Sequence, residues 1–168
     1  MKLQAETVDT LGNISMAELQ VFIDDMPLSA SWNSIPTGML RKPLLEALAC
    51  PVVNYHSGVN PAYRGINGGY FALANGEPQN FGVTLHLVDL GVDTGPILAT
   101  NRIEVSNGDN LQTYMTLMAA RSQDLVVETM ERVLAGDLSP VANDLASAQY
   151  YAPTLGQYLA NGLKRSVW

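Results

Sequence analysis

Charge, cysteine and long apolar runs are all scarce in this sequence, and each shortage removes a class of protein. Charged residues fill 15% of the 168 positions, with 9 Lys or Arg against 16 Asp or Glu, a formal net charge of -7. The basic residues are scattered, so no cationic stripe matches a phosphate backbone and no nucleic-acid partner is expected. The same acidity argues against anionic membrane surfaces. No run of about 18 apolar residues is present, so no membrane-spanning helix is expected. The first residues, Met1 to Asn13, lack the basic start and apolar stretch of a signal peptide. The one cysteine, Cys50, has no partner for an internal disulfide and fits a reducing cytoplasm, the expected location. Its neighbours Ala49 and Pro51 supply no activating base, so it reads as a small packing residue. One cysteine and two histidines give no metal-ligand spacing, and no metal is expected.

Hydrophobic residues make up 47%, enough for one domain over 1–168 with a sizeable core. Ser15 and Glu18 form a capping box that predicts a helix over Met16 to Met26, stopped by Pro27. A short strand is predicted over Leu28 to Asn33, then a helical stretch from Met39 to Leu48. Pro51 to Asn54 reads as a buried strand delivering Tyr55 and His56 to its carboxyl end. Ser57 to Gly69 is loop chemistry, followed by a short helix over Tyr70 to Ala74. Gly82 to Val88 alternates as a strand, placing Thr84 and His86 on one face. Asp89 to Gly95 is a second polar loop, and Ile97 to Val105 a further strand. Asp109 and Gln112 cap a long predicted helix reaching about Ala135, with Gly136 as its stop, and Pro153 opens a last helix ending near Lys164. Strands alternating with helices predict an α/β layered fold with a mainly parallel sheet and flanking helices. Ligands of such sheets bind beyond the carboxyl ends of the strands, where His56 and Asp93 both fall.

Residues two apart on a strand face the same way, so Asn54 and His56 share a side. An amide N–H is a fixed donor, and an imidazole can donate or shuttle a proton near neutrality. Together they suit the oxyanion that develops when an amine attacks an acyl carbon. The alternative is that Asn54 satisfies loop backbone and His56 is a hydrogen-bonded structural histidine. Asp93, in Gly91-Val92-Asp93-Thr94-Gly95, could support His56 or relay protons through water; Asp before Thr-Gly is also ordinary turn chemistry.

Five stretches read in order tip this balance: Asn54-Tyr55-His56-Ser57-Gly58, Pro61-Ala62-Tyr63-Arg64-Gly65, Ala74-Asn75-Gly76, Gly82-Val83-Thr84-Leu85-His86 and Asp93-Thr94-Gly95-Pro96-Ile97-Leu98. Together, over roughly Cys50 to Val105, they resemble the folate-dependent formyltransferase family. The resemblance implies 10-formyltetrahydrofolate as formyl donor and a small-molecule amine as acceptor. It also implies Asn54 as oxyanion stabiliser, His56 as acid or electrostatic partner and Asp93 as the residue that orients His56 and helps remove the amine proton. The donor pocket is expected around Trp32, Ser34, Ile35, Leu90 and Val92, and the substrate-binding side around Ser57, Gly58, Tyr63, Arg64 and His86. Trp32 could equally be core, His86 structural, and Arg64 either a partner for an anionic substrate group or part of a loop salt bridge.

Two departures shape the expectations. Many members read S-L-L-P where this chain has Gly58-Val59-Asn60-Pro61. A nucleotide-binding-like half precedes the N-x-H motif in the family, whereas only 53 residues precede Asn54 here, so much of that half is expected to be missing. An exposed sheet edge covered by a second copy or a partner chain is then expected. Delivery of the formyl group to water, or non-catalytic binding of folate or a partner protein, are the rival functions.

Overall fold

The computed structural model describes residues 50–106 and 108–168, together with Leu45 and the backbone of 20–23. Strand β1 (Gln20–Ile23) lies parallel to β2 (Val52–His56), with Phe22 opposite Asn54. A two-residue strand, β3 (Arg64–Gly65), leads to helix α1 (Gly68–Ala74) and a single 3-10 turn, Pro78–Asn80. Strands β4 (Gly82–Leu87) and β5 (Ile97–Arg102) follow, then helices α2 (Leu111–Arg121) and α3 (Gln123–Leu134). The short strand β6 (Gln149–Tyr150) pairs in parallel with β3, and helix α4 (Leu155–Arg165) comes last.

The four-stranded sheet has the order β1-β2-β4-β5 and is mixed. Only β1 and β2 run parallel; β2–β4 and β4–β5 are antiparallel, which corrects the expectation of a mainly parallel sheet. The connection between β4 and β5 explains the second of these pairings. A parallel crossover needs a dozen or more residues, usually with a helix. Between β4 and β5 there is only the polar loop over 88–96, too short to cross back.

The capping box at Ser15 and Glu18 predicts helix where Gln20–Ile23 form β1, a second correction. Val-Phe-Ile is apt for a strand, and pairing with buried β2 outweighs the local helix signal. The rest of that predicted helix and the strand over Leu28 to Asn33 lie outside the described residues. Of the stretch from Met39 to Leu48 only Leu45 is described, and it is helical.

The predicted long helix from Asp109 is two helices meeting at Ser122, which is buried. Asn101 on β5 donates to the Arg121 carbonyl at 2.9 Å, satisfying an end-of-helix group that would otherwise be orphaned. The cap also moves by one residue. Asn110 accepts from the Gln112 N–H, and the Thr113 hydroxyl accepts from the Asn110 N–H, whereas Asp109 closes a turn onto Ser106. Gly136 follows α3 at a φ of 84°, as a helix stop requires.

Val53, Val83 and Leu85 are fully buried and pack with Tyr70, Phe71, Phe81, Leu98 and Met118. The alternate positions of the same strands, Asn54, His56, Thr84 and His86, are also buried, but they are polar. One face of the sheet makes the core, and the other builds the site.

Candidate active site

The antiparallel register of β2 and β4 sets Asn54 opposite His86 and His56 opposite Thr84. Four polar side chains therefore share one face, two from each strand. Asp93 reaches them from the loop over 88–96, its backbone left-handed at φ 51°. That conformation is tolerated better by Asp than by most residues with a Cβ.

The Asp93 carboxylate is the hub. Its Oδ2 accepts from the Gly65 N–H at 2.8 Å and lies 3.5 Å from His56 Nδ1. Its Oδ1 accepts from Asn54 Nδ2 at 3.2 Å and lies 3.4 Å from His86 Nε2. Asp93 is 7% exposed, His86 2% and His56 not at all. Burial works against the charge, but the His86 hydrogen bond, the His56 charge and the Gly65 N–H outweigh it, holding the pKa at about 2.

The two histidines are fixed differently. His86 Nδ1 faces the Leu87 carbonyl at 2.9 Å, and its Nε2 lies 3.2 Å from Asn54 Nδ2 as well as 3.4 Å from Asp93 Oδ1. His56 Nε2 donates to the Tyr63 carbonyl at 2.7 Å, and its Nδ1 faces Asp93 without a hydrogen bond. Oxygens thus flank both ring nitrogens of His56, so a second ring proton would meet Asp93. Asn54 directs its amide N–H groups at Asp93 and His86, while its Oδ1 is buried without a partner. The N–H expected to meet an oxyanion is therefore engaged in this arrangement, through two contacts that are both long at 3.2 Å.

The loop after His56 is held tightly. The Thr84 hydroxyl donates to the Gly58 carbonyl at 2.8 Å and accepts from the Asn60 N–H at 3.0 Å. A Cβ on Gly58 would lie 2.1 Å from the Tyr63 carbonyl oxygen and 2.6 Å from His56 Nε2, so only glycine fits beside the histidine. Gly65 has φ 89°, and its N–H is the shortest contact to the Asp93 carboxylate.

The other predicted residues are spread around this centre. Ser57 is buried, and its carbonyl accepts from the Gly69 N–H. Tyr63 contributes its carbonyl to the site, while its buried ring stacks on Tyr150 and its hydroxyl donates to Glu77 at 2.7 Å. Burial and the Glu77 contact raise the Tyr63 pKa, keeping the hydroxyl a donor. Arg64 donates to the Val92 carbonyl at 2.8 Å and to the Ser147 hydroxyl at 3.0 Å. Leu90 is 55% exposed on the Asp93 loop, and Val92 is partly buried. Trp32, Ser34 and Ile35 lie outside the described residues.

A cavity of about 310 Å³ borders the centre, lined by Asn60, Arg64, Asp93, Val141, Asn143 and Ser147 among others. A larger one of about 770 Å³, between the start of α2 and α4, contains none of the predicted site residues. Sequence reasoning missed the Gly65 N–H, Asn60, Thr84 and Asn143. Thr84 left a usable signal, since it alternates with His86 on β4, and Asn60 stood out as a departure from S-L-L-P.

The family model described as Formyl transferase matches residues 18–130, which takes in β1, the hub, α1, α2 and α3 up to Met130. The chain belongs to the formyl transferase family. A methionyl-tRNA formyltransferase from Levilactobacillus brevis is 29% identical over 153 residues, covering 91% of this chain and 46% of that protein. The chain thus spans about half the length of the curated relatives it matches. Among solved structures, a 4-N formyltransferase from Francisella tularensis superposes with a TM-score of 0.62 at 17% identity, covering 94% of this chain and 57% of that one. A formyltransferase from Anoxybacillus kamchatkensis, solved with a formamido sugar nucleotide and tetrahydrofolate, has a TM-score of 0.62 at 20% identity, covering 73% and 64%. These likenesses show a shared formyl transferase fold.

Proposed function

We propose that this chain catalyses transfer of a formyl group from 10-formyltetrahydrofolate to a small-molecule amine through a tetrahedral intermediate. Family membership supports the reaction class, and the observation that carries the site is the convergence of Asn54, His56 and His86 on one buried carboxylate, Asp93.

The donor supplies an activated formyl carbon; the residues supply placement and charge. Asn54 stabilises the oxyanion once the substrate carbonyl oxygen displaces one of its two 3.2 Å contacts. A charged oxygen is a strong acceptor for such an amide N–H. Asp93, with a pKa of about 2, is a poor resting place for a proton at neutral pH. Its role is to hold negative charge beside His56, so that a charged imidazole is stabilised next to the intermediate. The amine nitrogen bonds to the formyl carbon, the bond from that carbon to N10 of the donor breaks, and the proton finishes on N10. Enclosed imidazoles and a water-poor setting strengthen each of these charge terms.

The exposed Leu90 and neighbouring Val92 offer an apolar edge to the flat ring of the donor, with Trp32, Ser34 and Ile35 assigned to the same pocket by the resemblance. The acceptor enters beside Ser57, Gly58 and Tyr63, and Arg64 meets an anionic group on it. The chain works in the cytoplasm as a one-carbon enzyme.

Turnover of 10-formyltetrahydrofolate by the full chain, with and without a panel of sugar, nucleotide and amino-acid amines, tests this reading. Release of tetrahydrofolate that depends on an amine is expected. Amine-independent release would replace the transferase with a hydrolase, and no release in any arm would leave a non-catalytic binder.

A further inference from the structure

Asn60 stands where many family members have the second leucine of S-L-L-P, and it is 1% exposed. A buried amide needs partners, and Asn60 finds them for its Nδ2 and its backbone but not for its Oδ1. Here its Nδ2 donates to the backbone carbonyl of Asp93 at 3.0 Å, and its own N–H donates to Thr84 at 3.0 Å. Its carbonyl accepts from Asn143 Nδ2 at 2.6 Å. Asn143 belongs to an extended segment that runs along the site loop. In that segment Val141 donates to the Ile97 carbonyl at 2.7 Å, and Ala148 donates to the Pro61 carbonyl and accepts from the Arg64 N–H, both at 3.1 Å.

Asp93 needs such a hold. Its left-handed backbone is a sparsely populated state that persists only where the surroundings determine it. The carboxylate is fixed from one side by Gly65, and the peptide carbonyl from the other by Asn60. A leucine at position 60 would remove the donor and leave a buried carbonyl unpaired.

We propose that Asn60 is a positioning residue for Asp93, and that Asn143 in the later extended segment holds Asn60 in place. The role rests on Asp93 being the charged centre of the formyl-transfer site. Asn60 acts through the angle at which Asp93 presents its carboxylate to His56 and His86.

The test pairs a titration with a mutant cycle on the full chain. The charged and titratable groups facing Asp93 are His56 from β2, His86 from β4 and Arg64 from β3, whose guanidinium binds the neighbouring Val92 carbonyl. With the carboxyl carbon of Asp93 followed by NMR, the wild type stays ionised to the acid limit of the folded state, and Asn60→Leu titrates at clearly higher pH. An unchanged midpoint in a folded Asn60→Leu overturns the proposal. If that variant does not fold, Asn143→Ala carries the same test, with a smaller shift in the same direction. In turnover of 10-formyltetrahydrofolate, Asn60→Leu should lose about 10-fold or more, but nothing further in an Asp93→Asn background. Equal losses in both backgrounds overturn the proposal. Wild-type levels of turnover in Asp93→Asn would instead refute the catalytic reading, while the titration would still decide the role of Asn60.

Discussion

At the scale of single residues, the site depends on a carboxylate that stays charged while buried. Asp93 does so because two imidazoles and a backbone N–H surround it, which holds its pKa at about 2 against an ordinary 3.8. A depressed folded-state pKa adds stability that is fully present above the unfolded value and is lost as pH falls through the folded one. Chemical denaturation of wild type and Asp93→Asn should therefore differ at neutral pH and converge as pH falls from about 4 towards 2. A pH-independent difference would show that the contacts do not favour the charged form. The strand period made the shared face of Asn54 and His56 legible in the sequence, and the ordered motifs pointed to Asp93. The Gly65 N–H was not legible, because a backbone amide carries no sequence signature. Asn60 was visible only as a departure from a familiar motif, since its use depends on where the loop over 88–96 folds back.

At the scale of elements, the site needs two antiparallel strands in register and a loop that returns to them. Strands β2 and β4 and helix α1 were readable from alternation, glycine and short apolar runs. The antiparallel course of β5 against β4 was not, because helix–strand alternation suggests crossovers and does not reveal that this connection is too short for one. Strand β1 was hidden by a helix-like capping pattern that pairing with β2 overrides. The division of the long helix was equally hidden, since it depends on Asn101 reaching from β5 to the Arg121 carbonyl. The Asn110 cap at the start of α2 is a local device remote from Asp93 in the fold. Asn110→Ala should cost about 0.5–2 kcal/mol in urea unfolding and leave the Asp93 titration unchanged. A shift in that titration would mean that α2 is coupled to the hub.

At the scale of the whole molecule, the chain carries the formyl transferase fold over about half the length of its curated relatives, with a net charge of -7. That charge favours a small acceptor over a large polyanion. Among the described residues no helix is long and apolar enough to cross a membrane. If Asn54 and Asp93 are the working groups of the proposed formyl transfer, the reaction needs both. Single-turnover release of tetrahydrofolate from 10-formyltetrahydrofolate measures this directly in the full chain and in Asn54→Ala and Asp93→Ala. Each variant is expected to fold and to lose at least about 100-fold in rate. Near-normal rates in both folded variants would contradict the account and place the chemistry elsewhere.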